Sequence, residues 1–91
     1  MHRLTITAEV EDAAEWEKSF RTHGELFKEQ TATAVYFNVT DNNEVAVHFE
    51  IDDLEKFLEI LESPVTEESM GSDGVKKETV KVYILDSEFV L

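Results

Sequence analysis

The chain has 91 residues, no cysteine and a formal net charge of −13 from 21 acidic and 8 basic side chains. That length makes one domain, 1–91, which buries roughly 60–65% of its unfolded surface. The missing cysteines exclude disulfides, thiolate nucleophiles and Cys-ligated zinc, while the acidity repels nucleic acid and anionic membrane surfaces and excludes both as partners.

Residues 3–10, "RLTITAEV", alternate with a period of two, Leu4, Ile6, Ala8 and Val10 against Arg3, Thr5, Thr7 and Glu9. This is a half-buried strand. The start "MHRLTITAEV" holds no apolar run of signal-peptide type, and no stretch approaches the ~20 apolar residues of a membrane span. A cytoplasmic location is expected. Glu11 and Asp12 then open a helix, since acidic side chains suit a helix N-terminus. Its apolar line of Ala13, Trp16, Phe20 and Phe27 predicts one helix running to about Gln30.

Residues 33–40, "TAVYFNVT", alternate again, and so do residues 45–51, "VAVHFEI". Between them "DNNE" is rich in the residues that accept turn and left-handed conformations. The two runs predict a β-hairpin. Asp52 or Asp53 caps a second helix whose stripe is Leu54, Phe57, Leu58 and Leu61. Ser63-Pro64 breaks it and starts a short helix through Met70, because Pro suits the first helical position. "GSDG" at 71–74 ends that helix. A last strand spans 78–85, and "DSEFVL" closes the chain. The order β-α-β-β-α-β, with the second helix broken at Ser63-Pro64, predicts an α+β ferredoxin-like sandwich with an antiparallel four-stranded sheet.

The faces led by Leu4, Val35, Val45 and Val80 form one apolar sheet surface for the helices to cover. The opposite face collects Thr5, Thr7, Tyr36, Asn38, Ala46, His48, Lys81, Tyr83 and Leu85. It is mixed, neither a clean core nor a highly charged solvent face; antiparallel sheets allow a wet face of this kind, but aromatic residues are enriched in interfaces and the interface reading is preferred. Tyr36, Asn38, His48 and Tyr83 are therefore the candidate interface of a homodimer, which would also supply burial that a small cysteine-free core lacks. The apolar residues of the tail, Phe89 and Leu91, are expected to dock on the partner protomer.

His23 and Gly24 fall where a helix stripe calls for apolar residues. Helical spacing puts His23 on one side with Trp16 and Phe20. Gly24 costs up to ~1 kcal/mol in a helix interior, which a close approach by another backbone or a ligand would explain. Two readings of His23 stand. In one, Trp16, Phe20, His23 and Met70 line a ligand pocket, with His23 as its polar group and candidate acid-base. In the other, His23 is a core-edge residue bonded to a carbonyl or carboxylate. His48 and Glu50 share a face, but no third ligand accompanies them and no metal is expected. No serine has a nucleophile motif, and "GSDG" lacks the Lys of a phosphate loop. No cofactor is expected.

Trp16-x3-Phe20-x2-His23, the passage "DNNEVAVHFEIDDLEKF" at 41–57, and Ser63-Pro64 followed by Glu68, Met70 and Gly74-Val75 carry a resemblance over nearly the whole chain. The chain resembles the small dimeric α/β-barrel proteins with ferredoxin-like protomers, in the branch called cyclase-like or antibiotic-biosynthesis-monooxygenase-like. The resemblance implies two protomers packed sheet against sheet into a barrel, each with a cavity between its own sheet and helices. It does not extend to heme-degrading relatives. Those resemble one another in an Asn on the first strand and a Trp and a His late in the chain. Here the first strand offers Thr5 and Thr7, and no His or Trp follows His48.

Three functions follow as expectations. The first is a homodimeric protein that binds a small apolar or aromatic molecule in an internal pocket. The second is a cofactor-independent monooxygenase or cyclase/isomerase acting on an aromatic or polyketide-like compound. The third is an interaction or regulatory subunit without a ligand. A cavity beside His23 favours the first two, and a filled interior favours the third.

Overall fold

Alternation along the strands is realised as a sheet with one buried face. The computed structural model describes residues 1–91. Strands β1 (His2–Glu9), β2 (Ala32–Val39), β3 (Glu44–Ile51) and β4 (Lys81–Ile84) pair antiparallel in the order β2-β3-β1-β4. Leu4, Ile6, Ala8, Val45, Val47, Phe49 and Ile51 are buried on the inner face. Four helices follow the chain on that side: α1 (Ala13–Phe20), α2 (Gly24–Glu29), α3 (Leu54–Leu61) and α4 (Pro64–Ser72). Trp16 and Phe20 of α1 and Phe57 of α3 are their buried residues in the core. This is the expected ferredoxin-like α+β architecture, with the break at Ser63-Pro64 in place.

The caps explain the helix starts. Asp12 accepts from the backbone N–H of Ala14 and Glu15, and Asp53 accepts from Lys56, so Asp53 rather than Asp52 caps α3. Pro64 takes the first position of α4. Ser63 precedes it without a side-chain cap; its hydroxyl donates to the Ile60 carbonyl at 2.6 Å instead. The hairpin turns through Asn43, at φ 59°, a conformation that Asn tolerates better than most residues.

Three expectations are corrected. The first helix does not run unbroken to Gln30. Thr22 and His23 donate backwards over three residues, to the Ser19 and Phe20 carbonyls, and the Thr22 hydroxyl also donates to Ser19 at 2.6 Å. Thr, His and Gly in succession are weak helix formers, so the chain tightens, stops and restarts as α2. Gly24 is then the first residue of a new helix. A Cβ there would meet nothing within 4 Å, so no close approach of another backbone explains it. The last strand is also shorter than 78–85. Lys77–Thr79 forms a 3-10 turn in which the Thr79 hydroxyl donates to the Lys76 carbonyl and accepts from the Glu9 N–H, replacing a strand ladder. Finally, the helices leave β4 uncovered: Val82 and Ile84 are each 41% exposed on the inner side.

Candidate ligand cavity

The aromatic residues of the first helical segment are built into a continuous cluster. Trp16 stacks on Phe20 with ring centroids 4.6 Å apart, and Phe20 meets Phe27 at 5.1 Å and Phe37 at 5.0 Å. The cluster continues through Phe27 to Phe49 and on to Phe57. Such edge and offset contacts add to the hydrophobic gain of burial.

Beside this cluster lies a cavity of about 80 Å³ between the sheet and the helices. Its walls are mostly apolar and include Ile6, Val47, Phe49, Phe57 and Leu61. Trp16, Phe20, His23 and Met70, the four residues grouped from the sequence, all line it. The α1–α2 break is what aims His23. It occupies the N-cap position of α2 without a side-chain capping bond, because its ring is committed elsewhere. His23 Nε2 lies 2.7 Å from Asp73 Oδ2.

Asp73 was not legible as a site residue. It ends α4, and the chain turns away directly after it through Gly74 at φ 78°. A glycine holds that left-handed conformation without penalty, and it leaves the Asp73 carboxylate beside the cavity. The Asp73 side chain is 9% exposed and that of His23 is 23% exposed. Gln30, Thr66 and Ser69 also reach the wall. Gln30 donates to the Phe57 carbonyl at 3.4 Å and Thr66 to the Ile60 carbonyl at 2.6 Å. The Thr66 hydroxyl and one of the two Gln30 N–H donors are thus spent on backbone, as buried polar groups require.

Met70 has a second neighbourhood. Together with Leu61, Val75 and Val80 it also lines a groove on the outside of α4 that reaches Val82. These four side chains separate the cavity from that groove. A flexible thioether suits such a wall.

The other face of the sheet is separate from the cavity. Cross-strand register sets Tyr36, His48, Thr5 and Tyr83 in one row across all four strands. Thr5 Oγ1 and His48 Nδ1 are 3.1 Å apart, and the Tyr36 and His48 rings lie 6.1 Å apart. Asn38 stands in the next row, opposite Ala46, and its Oδ1 accepts from the Val39 N–H. Glu50 faces Arg3 at 3.6 Å rather than joining His48. Tyr36 and Tyr83 are exposed, and Phe89 and Leu91 of the tail are more so. No helix is long and apolar enough to cross a membrane.

No family model matches the chain, and no curated protein matches it by sequence. Solved structures do match its fold. One, from Bordetella bronchiseptica and assigned as an antibiotic biosynthesis monooxygenase, has a TM-score of 0.73 at 12% identity and covers 99% of this chain and 97% of its own. SnoaB, a cofactor-independent oxygenase from Streptomyces nogalater, has a TM-score of 0.71 at 16% identity, covering 99% and 95%. A dimeric ferredoxin-like protein from an uncultured marine organism has a TM-score of 0.58 at 14% identity, covering 99% and 91%. The neighbours are the ferredoxin-fold, antibiotic-biosynthesis-monooxygenase-like proteins that the sequence resembles. At these identities the likeness is one of fold.

Proposed function

We propose that this protein is a homodimer that binds a small neutral apolar molecule in the cavity beside His23. The observation that carries the reading is the cavity itself: an apolar space with His23 and Asp73 as a convergent polar pair in its wall. Binding sites are mostly apolar with a few placed polar groups. A well-packed interior leaves few voids of this size, so the unfilled space is not what a purely structural subunit needs. Anionic ligands are disfavoured by Asp73 and by a net charge of −13.

Size bounds the ligand. A cavity of roughly 150 Å³ holds benzene, so the 80 Å³ here suits a still smaller body unless the wall moves. A polyketide-like compound requires Met70 and its neighbours to swing toward the outer groove. The dimer forms, in this reading, through the row of Tyr36, His48 and Tyr83, giving the sheet-to-sheet barrel. A dimeric protein of the same fold supports that association.

Cofactor-independent oxygenation or isomerisation is the second reading. It is favoured by the His23–Asp73 pair, since a carboxylate bound to one ring nitrogen is how histidine bases are held in enzymes. SnoaB shares the fold and works without a cofactor.

The test is a ligand screen by protein-observed NMR, using small neutral aromatic compounds first and polyketide-like ones second. Shifts confined to Trp16, Phe20, His23 and Met70 are expected, and they are expected to vanish in His23→Leu. A screen in which no compound perturbs these residues overturns the binding reading.

A further inference from the structure

The two ring nitrogens of His23 do not share one role. Nε2 lies 2.7 Å from Asp73 Oδ2, and a carboxylate oxygen only accepts hydrogen bonds. The proton of neutral His23 therefore sits on Nε2, and Nδ1 carries a lone pair. Nδ1 has no partner in the chain, yet no buried side-chain nitrogen or oxygen is left unsatisfied. Nδ1 is therefore not sealed in the interior, and His23, with its side chain 23% exposed, is a wall residue of the cavity. Asp73 Oδ1 is in the same position. Of the other polar side chains on the wall, Thr66 has its donor and Gln30 one of its two N–H donors bound to carbonyls, and the Ser69 hydroxyl donates or accepts as required.

We propose that His23 turns Nδ1 to the cavity and that Asp73 is a specificity-determining positioning residue: it fixes His23 in the Nε2–H tautomer, so the cavity presents an acceptor and selects apolar molecules that carry one hydrogen-bond donor, O–H or N–H. This deepens the binding reading above and rests on it. Molecules that only accept, such as ethers and ketones, leave Nδ1 unpaired on binding. Losing a hydrogen bond to a desolvated acceptor is what makes polar sites discriminate strongly between near-isosteres.

Pyrrole and furan test this, because they share size and shape while pyrrole donates and furan does not. Both are titrated into the full chain at a pH where His23 is neutral, with chemical shifts of the cavity residues as readout. Pyrrole is expected to bind roughly fivefold more tightly. In Asp73→Leu, which removes the acceptor for Nε2, that ratio is expected to fall toward one. Independently of any variant, 15N shifts of the His23 ring in the wild-type protein are expected to report Nε2–H. A ring found protonated at Nδ1 overturns the proposal, and so does a pyrrole preference that Asp73→Leu leaves unchanged. Equal binding of both rings to the wild type overturns it while leaving the cavity as a binding site. If neither ring perturbs the cavity residues, the binding reading and this proposal fall together.

Discussion

His23 and Asp73 stand 50 positions apart and meet at 2.7 Å, which ties the break between α1 and α2 to the C-terminal end of α4. The pair therefore links two distant turns of the chain in the wall of the cavity. His23→Ala strands a carboxylate that is 9% exposed, and an unsatisfied buried partner costs ~1–3 kcal/mol. Urea denaturation is expected to show a loss in that range with the fold retained. His23→Gln, whose amide also donates, should lose less. Equal midpoints for wild type and His23→Ala would remove the pair from the account of stability.

The row of Tyr36, His48, Thr5 and Tyr83 predicts the assembly. Sedimentation at micromolar concentration is expected to give twice the chain mass. Each copy carries a net charge of −13, so the copies repel, and added salt screens that repulsion. Association should tighten as salt rises. Tyr83→Glu puts another negative charge in the row and is expected to weaken the dimer at least tenfold. A clean monomer of the wild type sinks this prediction.

The tail is expected to be a second element of association. Phe89 is 84% exposed and Leu91 fully so, and apolar side chains this exposed in a tail that follows an edge strand gain most from a partner surface. Removing residues 87–91 should raise the dimer dissociation constant without changing the denaturation midpoint of the protomer. An unchanged dissociation constant refutes the anchoring role.

Glu67 and Lys77 pair across α4 and the 3-10 turn. The Lys77 hydrogen bond, and then its charge, hold the Glu67 carboxyl below its ordinary value of 4.5. A depressed folded-state pKa contributes stability above the unfolded value, and that contribution is lost as pH falls through the folded value. The Glu67 side chain is exposed, so the effect is small. Lys77→Ala should return the Glu67 titration to the ordinary range in an NMR pH series. Any stability difference from wild type should be present at neutral pH and disappear in acid. A Glu67 titration unmoved by the substitution contradicts the pairing.

Much of the fold was written in short-range pattern. The period of two in "RLTITAEV" and "VAVHFEI" fixes which side chains face inward, and the Asp and Pro residues mark helix starts, because these are local rules of sterics and backbone hydrogen bonding. Helical spacing reached only Trp16 and Phe20 on α1; His23 stands at the break before α2 and Met70 on α4, and both line the cavity with them through tertiary packing. What was not legible depends on competition between near-equal local choices or on long-range approach. The stop at Thr22 turns on a hydroxyl that bonds Ser19 instead of leaving the helix to continue. Asp73 read as a helix end, and its meeting with His23 is made by folding alone. The exposure of Val82 and Ile84 reflects how far the helices extend over the sheet, which strand alternation does not encode.

The strand order also sets a timetable for the molecule's synthesis. The β2–β3 hairpin is local, so its pairing needs no distant segment. β1 emerges earlier, yet it waits for β3 and then for β4, because residues 4–7 pair with residues 81–84. Closing such a long loop is slow and entropically unfavourable until the distant contacts form. Until then one edge of the central strand β1 is bare, and so is the Val80 side of the cavity wall. A released chain cut before residue 80 would keep the residues of the aromatic cluster and of the His23–Asp73 pair but an unclosed sheet, with one edge of β1 left bare.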